Sequence, residues 1–325
     1  MPKVSICIPT YKQPTLLKKV LQSIVEQTFT DYEIIISDDT PDNSIETVLN
    51  EFDLGTQLNY IQHNPSLGSP TNWNYALKQA KGAYIKIMHH DDYFTNPDSL
   101  SEFAALLDSN PKASFAFSST KIDLLQLNMI KYHYCSMKQL NDIKNNPNDL
   151  FITNVIGAPS STIIRNKLNI LFDEQLKWLV DVDWYMRIIK QNNNIIYSSK
   201  PLICTIHGAE GQTTQEVIAE KGLQIREHVV VFTKIFNQHL KLKKYSLFFQ
   251  ILFNKFNVNS LQELNIIVTI NKELISFYEN VFDKKDQFPF LKKVVYWTKK
   301  SSFKDIIFTL KKLSQYLNNP AIFYY

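Results

Sequence analysis

The sequence predicts an α/β fold: a mostly parallel sheet flanked by helices, followed by a helical C-terminal domain. Three observations carry this. Short β-branched runs alternate with stretches of helical periodicity from Lys3 to Met88, the pattern of a parallel sheet with helices on its faces. Aromatic and acidic residues recur where those runs end, at Tyr11, Asp38-Asp39 and Asp91-Asp92. Strand signals fade after about Thr213, and helical patterns rich in Phe, Tyr, Leu and Lys replace them.

The elements follow in order. Lys3 to Pro9 reads as the first strand, and Pro9 to Pro14 as a turn. Leu16, Leu17, Val20, Leu21, Ile24 and Val25 recur at helical spacing. Tyr32 to Ser37 is the second strand, Ile45 to Phe52 a helix, Gln57 to Gln62 the third strand, Asn72 to Lys81 a helix, and Ala83 to Met88 the fourth strand. A helix runs from about Asn96 to Ser109 and a strand from Ala113 to Ser119. Thr120 to Leu140 is ambiguous and can hold further strands. Ile163 to Arg165, Ile195 to Ser198 and Leu202 to His207 are short strands, and a helix opens near Asp181. The C-terminal helices are expected at Val217 to Asn237, Tyr245 to Lys255, Leu261 to Asn280, Phe288 to Lys299 and Phe303 to Leu317. The domain boundary is therefore expected between 212 and 213.

Composition narrows the function classes. Cys7, Cys135 and Cys204 are far apart with no CxxC spacing, which argues for buried, reduced thiols and against a disulfide framework or a zinc site. No apolar run reaches the length of a signal peptide core or a membrane-spanning helix, so the expected location is cytoplasmic. Residues 221–325 carry 17 Lys and Arg against 7 Asp and Glu, while the whole chain has a net charge of only +4. A basic tail on an acidic body points to an anionic partner. An anionic membrane surface ranks first, which would place the protein peripherally on the inner face of the cell membrane, with a homo-oligomer second. Nucleic acid is not expected, because no recognition motif is present.

The stretch Met88-His89-His90-Asp91-Asp92-Tyr93-Phe94 is where an apolar strand runs into adjacent carboxylates. In parallel sheets ligands bind at the carboxyl ends of strands, and paired carboxylates there suit a hard divalent cation. The other reading is a solvated turn that caps the next helix. The first glycine is Gly55, so no Gly-rich phosphate loop follows strand one. A nucleotide would have to be held by side chains and a metal.

Taken in order, Ile8-Pro9-Thr10-Tyr11, Ser37-Asp38-Asp39-Thr40, Asn72-Trp73-Asn74-Tyr75-Ala76, Gly82-Ala83-Tyr84-Ile85, Asp91-Asp92 and Asp181-Val182-Asp183 resemble the family 2 glycosyltransferases over roughly residues 1–210. These are inverting enzymes of the GT-A (Rossmann-like) fold that use nucleotide-diphosphate sugars. The resemblance implies transfer of a hexose, most simply from a UDP-sugar, to a glycan or lipid-linked glycan acceptor in bacterial surface polysaccharide synthesis. It implies that Pro9, Tyr11, Asp39 and Asn72 contact the donor, with Tyr11 stacking on the base and Asp39 accepting from its imide. Asp91 would face the ribose or the metal, and Asp92 would be the main ligand of Mn²⁺ or Mg²⁺. The family's usual Asp-x-Asp has its first Asp replaced here, giving His90-Asp91-Asp92. His90 is expected to support the site, and His89 to point to the opposite face. Asp181 would be the general base. His207, before a glycine-containing loop, would contact the diphosphate or complete the metal shell. Trp178 and Ser160 would line the acceptor side. Asp183 is placed with them, although at i, i+4 from Arg187 it can also pair there. Two alternatives stay open: a sugar nucleotidyltransferase, which normally wants a Gly-rich basic loop after strand one, and a non-catalytic nucleotide-sugar or carbohydrate-binding protein.

Overall fold

The computed structural model describes residues 1–208, 220–236 and 242–284. They fall into two compact units, 1–147 with 154–208, and 148–153 with 220–236 and 242–284. The expected helices Phe288 to Lys299 and Phe303 to Leu317 lie outside the described residues.

The first unit is an α/β sheet whose strand order is β3-β2-β1-β4-β8-β6-β9-β5, with β7 paired to β6. Strand β1 (Val4–Thr10) lies between β2 (Tyr32–Asp38) and β4 (Tyr84–Ile87), parallel to both, and β3 (Leu58–Gln62) is parallel to β2. The other half is mixed. Strand β8 (Thr162–Arg165) is antiparallel to β4 and to β6 (Phe115–Leu124). Strand β9 (Ile195–His207) is parallel to β6 and antiparallel to β5 (Asp92–Phe94), and β7 (Met129–His133) closes a hairpin with β6. The sheet is thus parallel where βαβ units build it, and mixed beyond β4.

Each helix covers the sheet with the stripe its periodicity sets. In α1 (Pro14–Val25) the buried Leu17, Val20, Leu21 and Ile24 follow the i, i+3, i+4, i+7 rule. Pro14 begins the helix, where its missing N–H costs nothing. Helices α2 (Ser44–Leu49), α3 (Thr71–Gln79) and α4 (Ser99–Asp108) connect the next strands, and α5 (Met137–Asn145) opens with a capping box between Ser136 and Gln139. Helix α6 (Val180–Gln191) buries Trp184, Tyr185, Ile188 and Ile189. The core gathers Val4, Ile6 and Ile8 with Leu17, Leu21, Ile34, Ile36, Phe103 and Ala116. Every residue of β1 is buried, as expected of a strand covered on both faces. The three cysteines are buried and free, as expected.

The sequence differs from this architecture at two strands. The runs expected at 195–198 and 202–207 are one strand, β9, whose pairing with β6 slips at Ser118 and Ser119. That bulge lets the intervening Ser199-Lys200 stay exposed without ending the strand. The sequence reading assigns no strand to β5, because three residues carry no period of their own.

Gly82 marks a close approach. A Cβ there would lie 2.6 Å from the backbone N of Ser5 and 2.8 Å from the backbone C of Val4. Its own N–H donates to Ser5 Oγ at 2.7 Å. Gly82→Ala should therefore destabilise the protein by about 1–3 kcal/mol. Urea denaturation of the full chain measures this, and an unchanged midpoint would contradict it.

The second unit comprises α7 (Lys221–Ile235), α8 (Leu242–Phe256), α9 (Leu261–Ile267) and α10 (Ile275–Asp283). Its core is aromatic: the Phe232 ring centroid lies 5.3 Å from Tyr245, 5.1 Å from Phe249 and 4.8 Å from Phe277. No described helix is long and apolar enough to cross a membrane. His228 is buried in this core with Nδ1 2.6 Å from Gln224 O, and burial lowers its pKa to about 4. An unfolded histidine titrates near 6.5. Between those values the unfolded chain binds more protons, so stability falls as pH drops through that window. Thermal melts should show a lower Tm at about pH 5 than at about pH 7, and His228→Gln should flatten that slope.

Candidate active site

The sheet turns back on itself between β1 and β4. Strands β2 and β3 extend to one side of β1, and β4 lies on the other. A crevice opens at the carboxyl end of such a switch point, where α/β sheets hold ligands. The residues that follow β1, β2 and β4 stand at that end of the sheet.

After β1 the chain makes a turn in which Lys12 and Gln13 take left-handed φ values of 57° and 62°. Two such non-glycine residues in succession store strain, a feature that concentrates at functional sites. The turn leaves Tyr11 49% exposed, with Lys12 Nζ 4.8 Å from its ring centre. Pro9 is buried in β1, level with Ser37 of β2. Asn72, buried in the first turn of α3, donates from Nδ2 to Thr10 O at 3.2 Å, while its Oδ1 has no partner.

The two aspartates after β2 divide their work. Asp38 accepts from Thr40 N at 2.8 Å and Tyr60 OH at 2.9 Å. Burial raises its pKa, and those hydrogen bonds oppose the rise. Asp39 accepts from Leu67 N at 2.9 Å on one oxygen and Gly68 N at 2.8 Å on the other. It holds the 66–68 loop against the crevice, so any contact to a base would use the remaining lone pairs.

Strand β4 ends at Ile87, and the chain then reverses: Asp92 N donates to His89 O at 3.1 Å, a tight turn. The turn corrects the sequence reading at one residue. Strand alternation predicts His89 on the far face, and the resemblance leaves His90 in a supporting role. The turn instead brings ligand atoms of His89, Asp91 and Asp92 within 4.8 Å of one another, and among the described residues this is the group that could hold a metal ion. His89 is also anchored: its N–H donates to Ser160 Oγ at 2.9 Å, and its ring lies 4.6 Å from that of Trp73. Burial lowers its pKa, which keeps the imidazole neutral and able to ligate.

Asp92 is 4% exposed and opens β5. Burial first, and Asp91 second, push its carboxyl well above the usual range, against a hydrogen bond from Ser160 and the charge of Lys86. Lys86 is fully buried and donates to Ile87 O at 3.0 Å and to Ser160 O. Its ammonium lies 4.6 Å from the ring centre of Phe103, and burial lowers its pKa to about 7. Asp91 is less buried and acts electrostatically on both His89 and His207. The pairing of Asp92 with Thr205 across β5 and β9 explains how His207, at the end of β9, reaches this neighbourhood. His207 lies outside the three-residue group, and its pKa is lowered by desolvation and raised by Asp91.

Asp181 stands in the first turn of α6, partly exposed. Its Oδ1 accepts from Val182 N at 2.7 Å and its Oδ2 from Asn154 Nδ2 at 3.1 Å. Tyr185, one turn on, donates to Gly157 O at 3.0 Å and feels the charges of both Asp181 and Asp92. The fold thus brings Asp181 into the same neighbourhood as the metal-competent turn. Asn154 and Tyr185 were not singled out from sequence. Tyr185 had a signal, its i, i+4 spacing from Asp181, whereas Asn154 had none.

Two residues expected at the acceptor are elsewhere. Ser160 is 0% exposed in a 3₁₀ turn (Pro159–Ser161), where it supports His89 and Asp92 from beneath. Asp183 is 2% exposed and pairs with Arg187 Nε at 2.8 Å. Neither presents an atom to an acceptor in this arrangement. Trp178 is partly exposed just before α6.

Comparison with known proteins fits this geometry. The GalNAc(5)-diNAcBac-PP-undecaprenol β-1,3-glucosyltransferase of Campylobacter jejuni subsp. jejuni serotype O:2 is 34% identical over 94 residues, 28% of this chain and 30% of that protein. The S. aureus TarS 1–349 structure in complex with UDP-GlcNAc superposes with a TM-score of 0.58 at 19% identity, covering 98% of this chain and 92% of TarS. The Pyrobaculum calidifontis mannosyltransferase PcManGT, in complex with GDP-Man and Mn²⁺, superposes with a TM-score of 0.52 at 13% identity, covering 98% of this chain and 82% of that one. These neighbours share the GT-A fold. Residues 5–172 match the profile of glycosyl transferase family 2, more than half of the chain, and the protein therefore belongs to that family of glycosyltransferases.

Proposed function

We propose that this enzyme is an inverting, metal-dependent hexosyltransferase. It takes its sugar from a nucleotide-diphosphate donor, a UDP-sugar first, and delivers it to a glycan or lipid-linked glycan of the bacterial surface. The single observation that carries the reading is the convergence of His89, Asp91 and Asp92 at the end of β4, in the crevice that Asp181 also borders. The UDP-GlcNAc bound to TarS, the Mn²⁺ in the mannosyltransferase and the undecaprenol-linked acceptor of the Campylobacter enzyme support its finer parts.

The residues present fit a divalent cation: two carboxylates and one neutral imidazole, whose buried Nε2 has no partner. When bound, the cation supplies Lewis-acid stabilisation of the leaving diphosphate. Tyr11 offers an exposed ring for the base, with Pro9 and Asn72 shaping the pocket beneath it. Asp39 holds the loop that walls it and shares an oxygen with the base imide. Asp91 faces the cation and the ribose, and His207 faces the diphosphate. Asp181 removes the acceptor proton, with Asn154 fixing its carboxylate. Residues 1–212 serve as the catalytic domain. Residues 213–325 serve as a docking surface at the inner face of an anionic membrane, or as an oligomerisation module.

A thermal-shift screen of nucleotide sugars with and without Mn²⁺ tests the reading. A ligand at about 100 times its Kd adds about 2.7 kcal/mol to stability, so the true donor raises Tm clearly, and more so with the ion. If no nucleotide sugar shifts Tm with any divalent ion, the reading is wrong.

A further inference from the structure

The β6–β7 hairpin concentrates exposed apolar side chains that the reaction does not use. Leu125, Leu127, Met129, Ile130, Tyr132 and Tyr134 are each 38–64% exposed. Strand β7 is also reversed relative to a solvated edge strand, which turns its polar residues outward. Ile130, Tyr132 and Tyr134 are exposed, whereas Lys131 and His133 between them are partly buried, and His133 Nε2 lies 3.1 Å from Val155 O. An apolar patch of this kind marks a surface that something covers. Its composition is graded. The aliphatic residues sit in and beside the 3₁₀ turn (Leu125–Leu127). The two tyrosines, with ring centroids 5.9 Å apart, come two and four positions after Ile130, roughly 7–13 Å along the strand. Lys121 lies across from Tyr132, and residues 121–138 hold Lys121, Lys131 and Lys138 against Asp123 alone.

The hairpin also flanks the crevice. Its base reaches the loop that fixes Asp181. A Cβ on Gly157 would lie 3.5 Å from the His133 ring, and Gly157 O accepts from Asn154, whose amide also holds the Asp181 carboxylate. Its turn reaches the end of β9: Leu124 pairs with His207, and a Cβ on Gly208 would lie 3.1 Å from Gln126 Cγ. Resting on the reading of Asp181 as the acceptor's base, we propose that the β6–β7 hairpin inserts its turn into the interfacial layer of an anionic phospholipid bilayer, so that the acceptor is a molecule presented at a membrane surface. Aliphatic side chains foremost, with Tyr and Lys behind them, reproduce the order of a bilayer, hydrocarbon and then head groups. The excess of lysine complements anionic lipid. In a symmetric contact between two copies of this chain the same lysines would gather on both sides of the patch. The catalytic unit makes this membrane contact itself, apart from any made by residues 213–325.

Hydrogen exchange of the full-length protein, with and without vesicles of phosphatidylglycerol and phosphatidylcholine in about equal parts, tests this without donor, acceptor or variant. Vesicles should slow exchange across residues 121–134. In vesicle co-sedimentation, Leu127→Ser combined with Ile130→Ser should bind at least about tenfold more weakly, through the lost burial of two apolar side chains. Val25→Ser, which removes an exposed apolar residue from α1, should bind as the wild type does. Both variants should melt within a degree or so of the wild type; if the double variant melts lower, the exchange map of the wild type decides alone. A wild type that leaves vesicles unbound overturns the proposal, as does vesicle protection that spares the hairpin and falls within 213–325. Vesicle binding that the double variant keeps overturns it too. If ultracentrifugation then shows that variant to be a monomer where the wild type is a dimer, the patch belongs to a second copy. None of these results touches the transferase reading, which the nucleotide-sugar screen tests separately.

Discussion

Asp91→Asn is expected to lower sugar transfer by at least about 10³-fold while leaving the Tm within a degree or so. The two halves of that expectation come from different observations. Asp91 is the less buried of the paired carboxylates and acts on both His89 and His207, so its charge is directed at the crevice. Removing that charge takes away the cation's most accessible anionic ligand. At the usual exchange rate, about 1.4 kcal/mol per tenfold, a 10³-fold loss is about 4 kcal/mol of transition-state stabilisation, a plausible size for one ligand of a Lewis acid. Asp92→Asn should behave differently. Asp92 is 4% exposed, opens β5 and bonds with Ser160 beside buried Lys86, so changing it disturbs the packing that shapes the turn and lowers Tm together with activity. Steady-state transfer or donor hydrolysis, read beside thermal melts of each variant, separates the two. Wild-type rates in Asp91→Asn would sink the assignment.

The site was legible in outline because its outline is local. Alternating strands and helices mark carboxyl ends, and carboxyl ends mark the crevice, so Tyr11, Asp39 and Asp91 could be placed from sequence alone. What sequence could not show depends on where the chain stops obeying a period. His89 was assigned to the wrong face because alternation was extended one step too far: β4 ends at Ile87, and the Asp92-to-His89 hydrogen bond turns the backbone. Ser160 and Asn154 were misread or missed for another reason. Their partners, His89 and Asp181, are 71 and 27 residues away, and no local pattern encodes which loop lies beneath which turn. The antiparallel half of the sheet was hidden for the same reason, since β5 acquires its identity only by pairing with β9.

Asp181→Asn is expected to reduce kcat by about 10²- to 10⁴-fold, the range for loss of a positioned general base, and to leave donor binding intact. Asp181 stands in the first turn of α6, on a different element from the 89–92 turn assigned to the cation, so its removal should spare the thermal shift that nucleotide sugar produces. The amide keeps the volume of the carboxylate but offers only one oxygen. Val182 N and Asn154 Nδ2 now compete for it, because Asn154 Oδ1 already accepts from Ile156 N at 3.1 Å and Gly157 N at 3.0 Å and cannot be flipped at no cost. A modest stability loss of about 1 kcal/mol should therefore accompany the kinetic one, too small to account for it. The pH profile distinguishes a base from a helix cap. A base gives kcat/KM an acidic limb that disappears when the carboxylate is replaced; a cap leaves the profile's shape unchanged and moves only its height. Asp183→Asn supplies the contrast on the same helix. Asp183 is buried against Arg187, whose NH2 already lacks a partner, so its loss should lower stability by more than the Asp181 change does and keep the acidic limb. If the limb vanishes in Asp183→Asn and survives in Asp181→Asn, the base belongs two residues further along α6.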